Sequence, residues 1–259
     1  MNLGLDGKVA LVCGASRGLG RAVAEELAAE GASVAVCSRD ADRLAAAAAE
    51  IGLEVLAVAA DLGVAGEPTR AVETVLERYG RLDVLVANTG GPPAGTHDTL
   101  SLEDWDRATK LLLGSVVELT TAALPGMKER GWGRILAVTS VAVKQPVDNL
   151  MLSNSLRAAV TGFAATLARE VAKDGITVNT ILPGYTATER VTELNEANAR
   201  REGVDPAEIQ ARLEASIPLG RLAEPREFAA LAAFLASERA GYITGGAFAV
   251  DGGWLRGLL

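Results

Sequence analysis

Three polar side chains close together in the chain have the types and spacing to do chemistry: Ser140, Ser153 and Arg157. The stretch that joins them contains no tyrosine. On a helix, the i, i+4 spacing sets Ser153 and Arg157 on one face. There they could bind a hydroxyl or a carboxylate together. They could equally be a cap and a surface charge. A serine hydroxyl is a very weak acid, and a guanidinium with a pKa above about 12 is a poor proton relay at neutral pH.

A second cluster lies near the N-terminus. The apolar run Val9–Cys13 leads into Gly14-Ala15-Ser16-Arg17-Gly18-Leu19-Gly20 and then an alanine-rich helical pattern. Glycines at this spacing allow a tight turn, close approach of backbone to a pyrophosphate, and packing of helix on strand. The N-terminus of the following helix adds free N–H groups and a favourable dipole. Gly14, Ser16, Arg17, Gly18, Leu19 and Gly20 are therefore candidate dinucleotide-binding residues; a structural turn without a ligand is the plainer alternative. The next strand ends in Ser38 and Arg39, with the nearest carboxylate at Asp40. A site selecting NAD usually carries a carboxylate at that point for the ribose 2′-OH. Arginines at 17 and 39, with Ser38, instead suit a 2′-phosphate. NADP(H) is the expected cofactor, with NAD(H) as the other option. Asp61 and Leu62 follow the third strand, where a carboxylate or its neighbouring amide can meet an adenine amine. Asn88 and Gly90 follow the fourth, where glycine permits backbone contact with a ligand and Asn88 can tie adjacent strands.

The elements that must position these residues alternate along the chain. Val9–Cys13, Ser33–Cys37, Val55–Ala59, Val84–Ala87, Ile135–Val138, Thr177–Ile181 and Ala247–Val250 read as strands. Their apolar runs are continuous, as in strands covered on both faces. Helices are expected over Leu19–Ala29, Ala41–Ile51, Glu67–Tyr79, Leu102–Arg130, Asn154–Lys173 and Pro225–Ser237. The pattern predicts a single-domain α/β protein, a Rossmann-type doubly wound parallel sheet with helices on both faces. A polar segment at about 188–216 is too long for a plain connection and is expected to form a helical lid over the carboxyl ends of the strands, where open sheets bind ligands.

Composition narrows the classes of function. The chain has 259 residues, is 49% hydrophobic and 22% charged, and carries a net charge of -8. That charge, without a basic tail, argues against nucleic acid as a partner. Aromatics make up only 4%, so the core must be built mainly from Ala, Val and Leu. Cys13 and Cys37 sit in apolar runs and read as buried small hydrophobes. A lone histidine, His97, rules out a multi-histidine metal centre. Neither a signal-peptide core nor a membrane-length apolar run is present. The expectation is a cytoplasmic protein acting on a small molecule.

These motifs, together with Asn88-Thr-Gly-Gly91, Gly131-Trp-Gly-Arg-Ile135, Gly175-Ile-Thr-Val-Asn179, Pro183-Gly184 and Val250-Asp-Gly-Gly253, resemble the short-chain dehydrogenase/reductase family along essentially the whole chain. The resemblance is strongest to its 3-oxoacyl-(acyl-carrier-protein) reductase-like branch. It implies seven strands, a nicotinamide cofactor held partly by Pro183, Gly184 and Thr186, and homodimers or homotetramers built through two long helices. It also implies a catalytic quartet of Asn, Ser, Tyr and Lys. Ser140 matches the serine. The tyrosine position falls on Ser153, the lysine position on Arg157, and the asparagine position on Leu112 or its neighbours. Tyr185 and Met151 are then candidate substrate contacts, Tyr185 also a substitute acid. The expectation is an atypical oxidoreductase that reduces a carbonyl or oxidises an alcohol. The alternative is an inactive dinucleotide-binding or regulatory protein.

Overall fold

The computed structural model describes residues 2–257. Seven strands, β1 (Val9–Cys13), β2 (Ser33–Ser38), β3 (Leu56–Ala59), β4 (Val84–Ala87), β5 (Gly133–Val138), β6 (Ile176–Pro183) and β7 (Ala247–Val250), form one sheet. Their order is β3-β2-β1-β4-β5-β6-β7, and every pairing is parallel. The order reverses between β1 and β4, which opens a crevice at the carboxyl ends of these strands. Successive residues of β1 serve opposite faces: Val9, Leu11 and Cys13 enter one core, Ala10 and Val12 the other. This two-sided burial is why the strands read as unbroken apolar runs.

One face is covered by α1 (Gly18–Ala29), α2 (Ala41–Ile51) and α9 (Pro225–Ala236). The other is covered by α3 (Glu67–Tyr79), α5 (Ser115–Arg130) and α6 (Met151–Val171). With few aromatics available, close approach replaces bulk. Ala24 of α1 and Ala229, Ala232 and Ala233 of α9 are buried in one cluster around Phe228. Burial of each such large side chain stabilises the fold by roughly 1.5–3 kcal/mol. Cys13 and Cys37 are buried thiols and direct neighbours across β1 and β2.

Asp83 joins the two strands that flank the crevice. Its fully buried carboxylate accepts from Val9 N at 2.9 Å and from Arg81 Nε and Nη2 at 2.8 and 2.9 Å.

The expected single helix over 102–130 is a correction. It divides into α4 (Leu102–Thr109), one wide π-helical turn (Lys110–Gly114) and α5. Gly114 has poor helix propensity, and Ser115 Oγ bonds back to Leu111 O, so the regular i→i−4 ladder is easily widened there. The polar segment after β6 forms two helices, α7 (Glu189–Glu202) and α8 (Pro206–Ser216). Among the described residues no helix is long and apolar enough to cross a membrane.

Candidate active site

The glycine-rich turn after β1 is closed by backbone contacts that only glycine permits. A Cβ on Gly20 would lie 2.3 Å from Gly14 O. Gly14 and Gly18 have φ of +61° and +58°. Asn88, just beyond β4, donates from Nδ2 to Cys13 O at 3.2 Å and so ties β4 to β1 across the crevice. The α1 N-terminus follows Arg17 with no side-chain cap and no acidic residue in its first turn. Its free amides and positive dipole end are thus available to an anion.

The adenosine end is more crowded than the sequence suggested. Arg17 pairs with Glu189 and, at 3.3 Å, with Glu193, both on α7. Arg43 lies 3.6 Å from Glu189. Asp40 caps α2 by accepting from Arg43 N at 3.0 Å. The one carboxylate near the end of β2 is therefore engaged with a helix terminus. Arg39 is exposed and forms no ion pair among the described residues. Ser38 Oγ reaches Asp40 O at 3.4 Å. Asp61 accepts from Gly63 N at 2.9 Å in the turn after β3, and Leu62 is buried behind it.

At the other end of the crevice the short turn after β5 presents Ser140. Its Oγ accepts from Ala142 N at 3.1 Å, which leaves its own proton free to donate. Ser153 sits in the first turn of α6, 8% exposed, with no protein hydrogen bond among the described residues. One turn on, Arg157 donates from Nη1 to Val138 O at 2.8 Å, at the carboxyl end of β5. The structure thus brings Ser140, Ser153 and Arg157 to one place. Arg157 is not a surface charge: burial, and then the nearby Arg190 cation, lower its pKa to about 10. The side chain of Asn154 holds Val147 from both sides, at 2.9 and 3.4 Å, which fixes the loop between Ser140 and α6. Met151 is at the edge of this loop and exposed.

Leu112, in the π-helical turn, is buried against Leu152 and Leu156 of α6. That contact is apolar and offers no amide. Tyr185 packs edge-to-face on Trp254 with ring centroids 5.6 Å apart. Burial and the Asp148 carboxylate raise its pKa above the ordinary phenol value. This is opposite to the shift of an acid tuned towards neutrality.

Thr186 Oγ1, beyond Pro183 and Gly184 at the end of β6, is fully buried and has no hydrogen-bond partner among the described residues. An orphaned hydroxyl at that place suits an amide group of a ligand. Glycine turn, uncapped helix and orphaned hydroxyl together fit a dinucleotide.

A family model described as enoyl-(acyl carrier protein) reductase matches residues 14–255. The chain belongs to this short-chain dehydrogenase/reductase family. It is 37% identical to the short-chain reductase protein NovJ of Streptomyces niveus, over 95% of this chain and 93% of NovJ. It is 38% identical to a 3-oxoacyl-(acyl-carrier-protein) reductase of Synechocystis, over 96% of this chain and 97% of that protein. Among solved structures, the L-sorbose reductase of Gluconobacter frateurii, complexed with NADPH and L-sorbose, superposes with a TM-score of 0.94. The two are 36% identical and each is covered in full.

Sequence reasoning gave no role to Arg190, Glu189 or Glu193 of α7, nor to Trp254. Arg190 donates from Nη2 to Pro92 O at 3.0 Å and lies over Gly91. Nothing in local periodicity signals this, because it depends on how α7 docks across the crevice.

Proposed function

We propose that the chain is an NADP(H)-dependent oxidoreductase of the short-chain family that reduces a carbonyl or oxidises the corresponding alcohol. The observation that carries this reading is the convergence of Ser140, Ser153 and Arg157 at the carboxyl end of β5, at the far end of a glycine cradle. A bound nicotinamide supplies or accepts the hydride. The chain's own residues hold the substrate oxygen: the free proton of Ser140 and the hydroxyl of Ser153 donate to it, and Arg157 keeps a positive charge beside it. The family tyrosine and lysine are replaced, so proton delivery falls to these hydroxyls and to solvent. The geometry therefore suits substrates whose carbonyl is already activated. Gly14, Gly18, Leu19, Gly20, Asn88, Gly90 and Thr186 would hold the dinucleotide. Preference for NADP(H) over NAD(H) rests on Arg17 and Arg43 near the end of β2 and on the engagement of Asp40 as a helix cap.

The absence of a tyrosine between Ser140 and Arg157 favours a second reading, a dinucleotide-binding protein without turnover. Oxidation of NADPH in the presence of activated carbonyls, measured on native protein and on Ser140→Ala, separates the two. Turnover that disappears in Ser140→Ala while NADPH still binds supports the enzyme. Turnover undiminished in Ser140→Ala removes that serine from the mechanism, and NADPH binding with no turnover at all favours the silent binder.

A further inference from the structure

The reactive end of the crevice contains two guanidinium groups and little negative charge to match them. Arg157 pairs with no carboxylate among the described residues; its protein contact is the carbonyl of Val138. Arg190 leans from α7 onto the turn after β4, where a Cβ on Gly91 would lie 3.0 Å from its Nε, and it bonds the carbonyl of Pro92. The one carboxylate within reach of it, Glu193, is 3.9 Å away and is shared with Arg17. β4 and β5 are adjacent strands, so these two side chains bond carbonyls at or beyond the carboxyl ends of neighbouring strands. Burial lowers the pKa of both; the Arg190 cation adds to the lowering at Arg157, while at Arg190 itself Glu193 acts against the lowering and Arg17 adds to it. A desolvated cation without an anion is costly, and Arg157 is one, with the half-exposed Arg190 beside it balanced only by a carboxylate it shares with Arg17; together they suit a ligand that brings negative charge.

We propose that Arg157 and Arg190 hold a carboxylate of the substrate, so that the compound reduced is an oxo acid and not a neutral ketone or ester. This rests on the oxidoreductase reading above. The cofactor's diphosphate is a weaker fit, because the uncapped N-terminus of α1 already serves it and because Arg157 stands one helical turn from Ser153 and beside Ser140. An anion at Arg157 must belong to the molecule whose reacting oxygen meets those hydroxyls. Guanidinium forks match carboxylates in a bidentate manner, which would orient the neighbouring carbonyl. The net charge of -8 offers no long-range attraction for an acid, so recognition must come from this local pair.

The test uses native protein loaded with NADPH and three probe pairs: pyruvate, acetoacetate and benzoylformate, each against its methyl ester. Binding by titration calorimetry and turnover by NADPH absorbance are both read. At least one acid should bind more tightly than its ester by on the order of 10- to 100-fold, the range for a hydrogen bond between charged partners. Arg190→Gln, a substitution on a lid helix, should erase that preference through KM while NADPH binds as it does to native protein. NADPH binding with no acid preferred over its ester would overturn this inference alone. Failure of NADPH to bind would overturn the proposed function with it. Weakened NADPH binding in Arg190→Gln with the acid preference intact would assign Arg190 to the diphosphate, and that too overturns the carboxylate.

Discussion

Glu189→Gln should tighten NADPH binding and leave NADH nearly unchanged. In the structure Glu189 lies between Arg17 and Arg43, and Glu193 adds a second carboxylate to Arg17 at 3.3 Å. If these arginines receive a 2′-phosphate, Glu189 occupies their donors before the cofactor arrives and must be displaced. All the side chains concerned are largely exposed, so each pair is worth only about 0.2–1 kcal/mol. Removing the two pairs at Glu189 therefore gives about 0.5–2 kcal/mol, or roughly 2- to 30-fold in affinity. Titration calorimetry with NADPH and NADH at low salt measures this directly. The advantage of the variant should shrink at roughly 0.5 M salt, where exposed charges are screened. Equal tightening of NADH would refute the reasoning, since it would mean that Glu189 masks the shared pyrophosphate. No change for either cofactor would show that the ion pairs do not compete with binding at all.

Further perturbations address the frame and the reactive end. Asp83→Ala should cost about 3 kcal/mol in urea unfolding, because it strands the buried Val9 amide at the junction of β1 and β4 and removes the carboxylate partner of Arg130 and Arg81. Arg157→Met should be as stable as native protein or more so at pH 7, since it removes a desolvated cation whose pKa is lowered by burial to about 10. Each unit corresponds to about 1.4 kcal/mol, so the gain has an upper limit of about 3 kcal/mol. The sign follows from the depressed pKa. The burial cost is in force below about pH 10 and is released as pH rises beyond it, so the advantage of Arg157→Met over native protein should narrow in unfolding measured above pH 10. Ser153→Tyr combined with Arg157→Lys should raise carbonyl reduction in the NADPH assay; unchanged rates with intact NADPH binding would show that the pocket has diverged beyond these two positions.

The parts of this site made by backbone were legible in the sequence, and the parts made by docking were not. Gly14, Gly18 and Gly20 announce their turn because a φ near +60° strains most side chains and no residue with a Cβ could place it 2.3 Å from a carbonyl. The strand positions follow from the apolar runs, and Val9–Cys13, Val84–Ala87 and Ala247–Val250 have the expected bounds. The helix break at Lys110–Gly114 was missed because a widened turn leaves the apolar period almost intact. Arg157 was left between pocket group and surface charge, since spacing alone fixes the face of a helix and not what that face meets.

The same distinction explains why the chemistry is harder to read than the fold. Ser140 is placed by a turn that directly follows β5, so its position is dictated by the sheet. Arg190 is placed by a helix that begins six residues after β6 ends and that reaches Pro92, in the loop beyond β4. Its neighbour Glu189 reaches in the opposite sense, towards Arg17 and Arg43. One turn of α7 thus presents a carboxylate to the adenosine end and a guanidinium to the reactive end. Any ligand that exchanges partners with one of these side chains acts on the same rigid turn as the other. Cofactor phosphate at Arg17 would release Glu189, and a carboxylate at Arg157 would attract Arg190. The docking of α7 therefore puts one helical turn in contact with both ends of the crevice, which is why neither contact could be read from the local sequence.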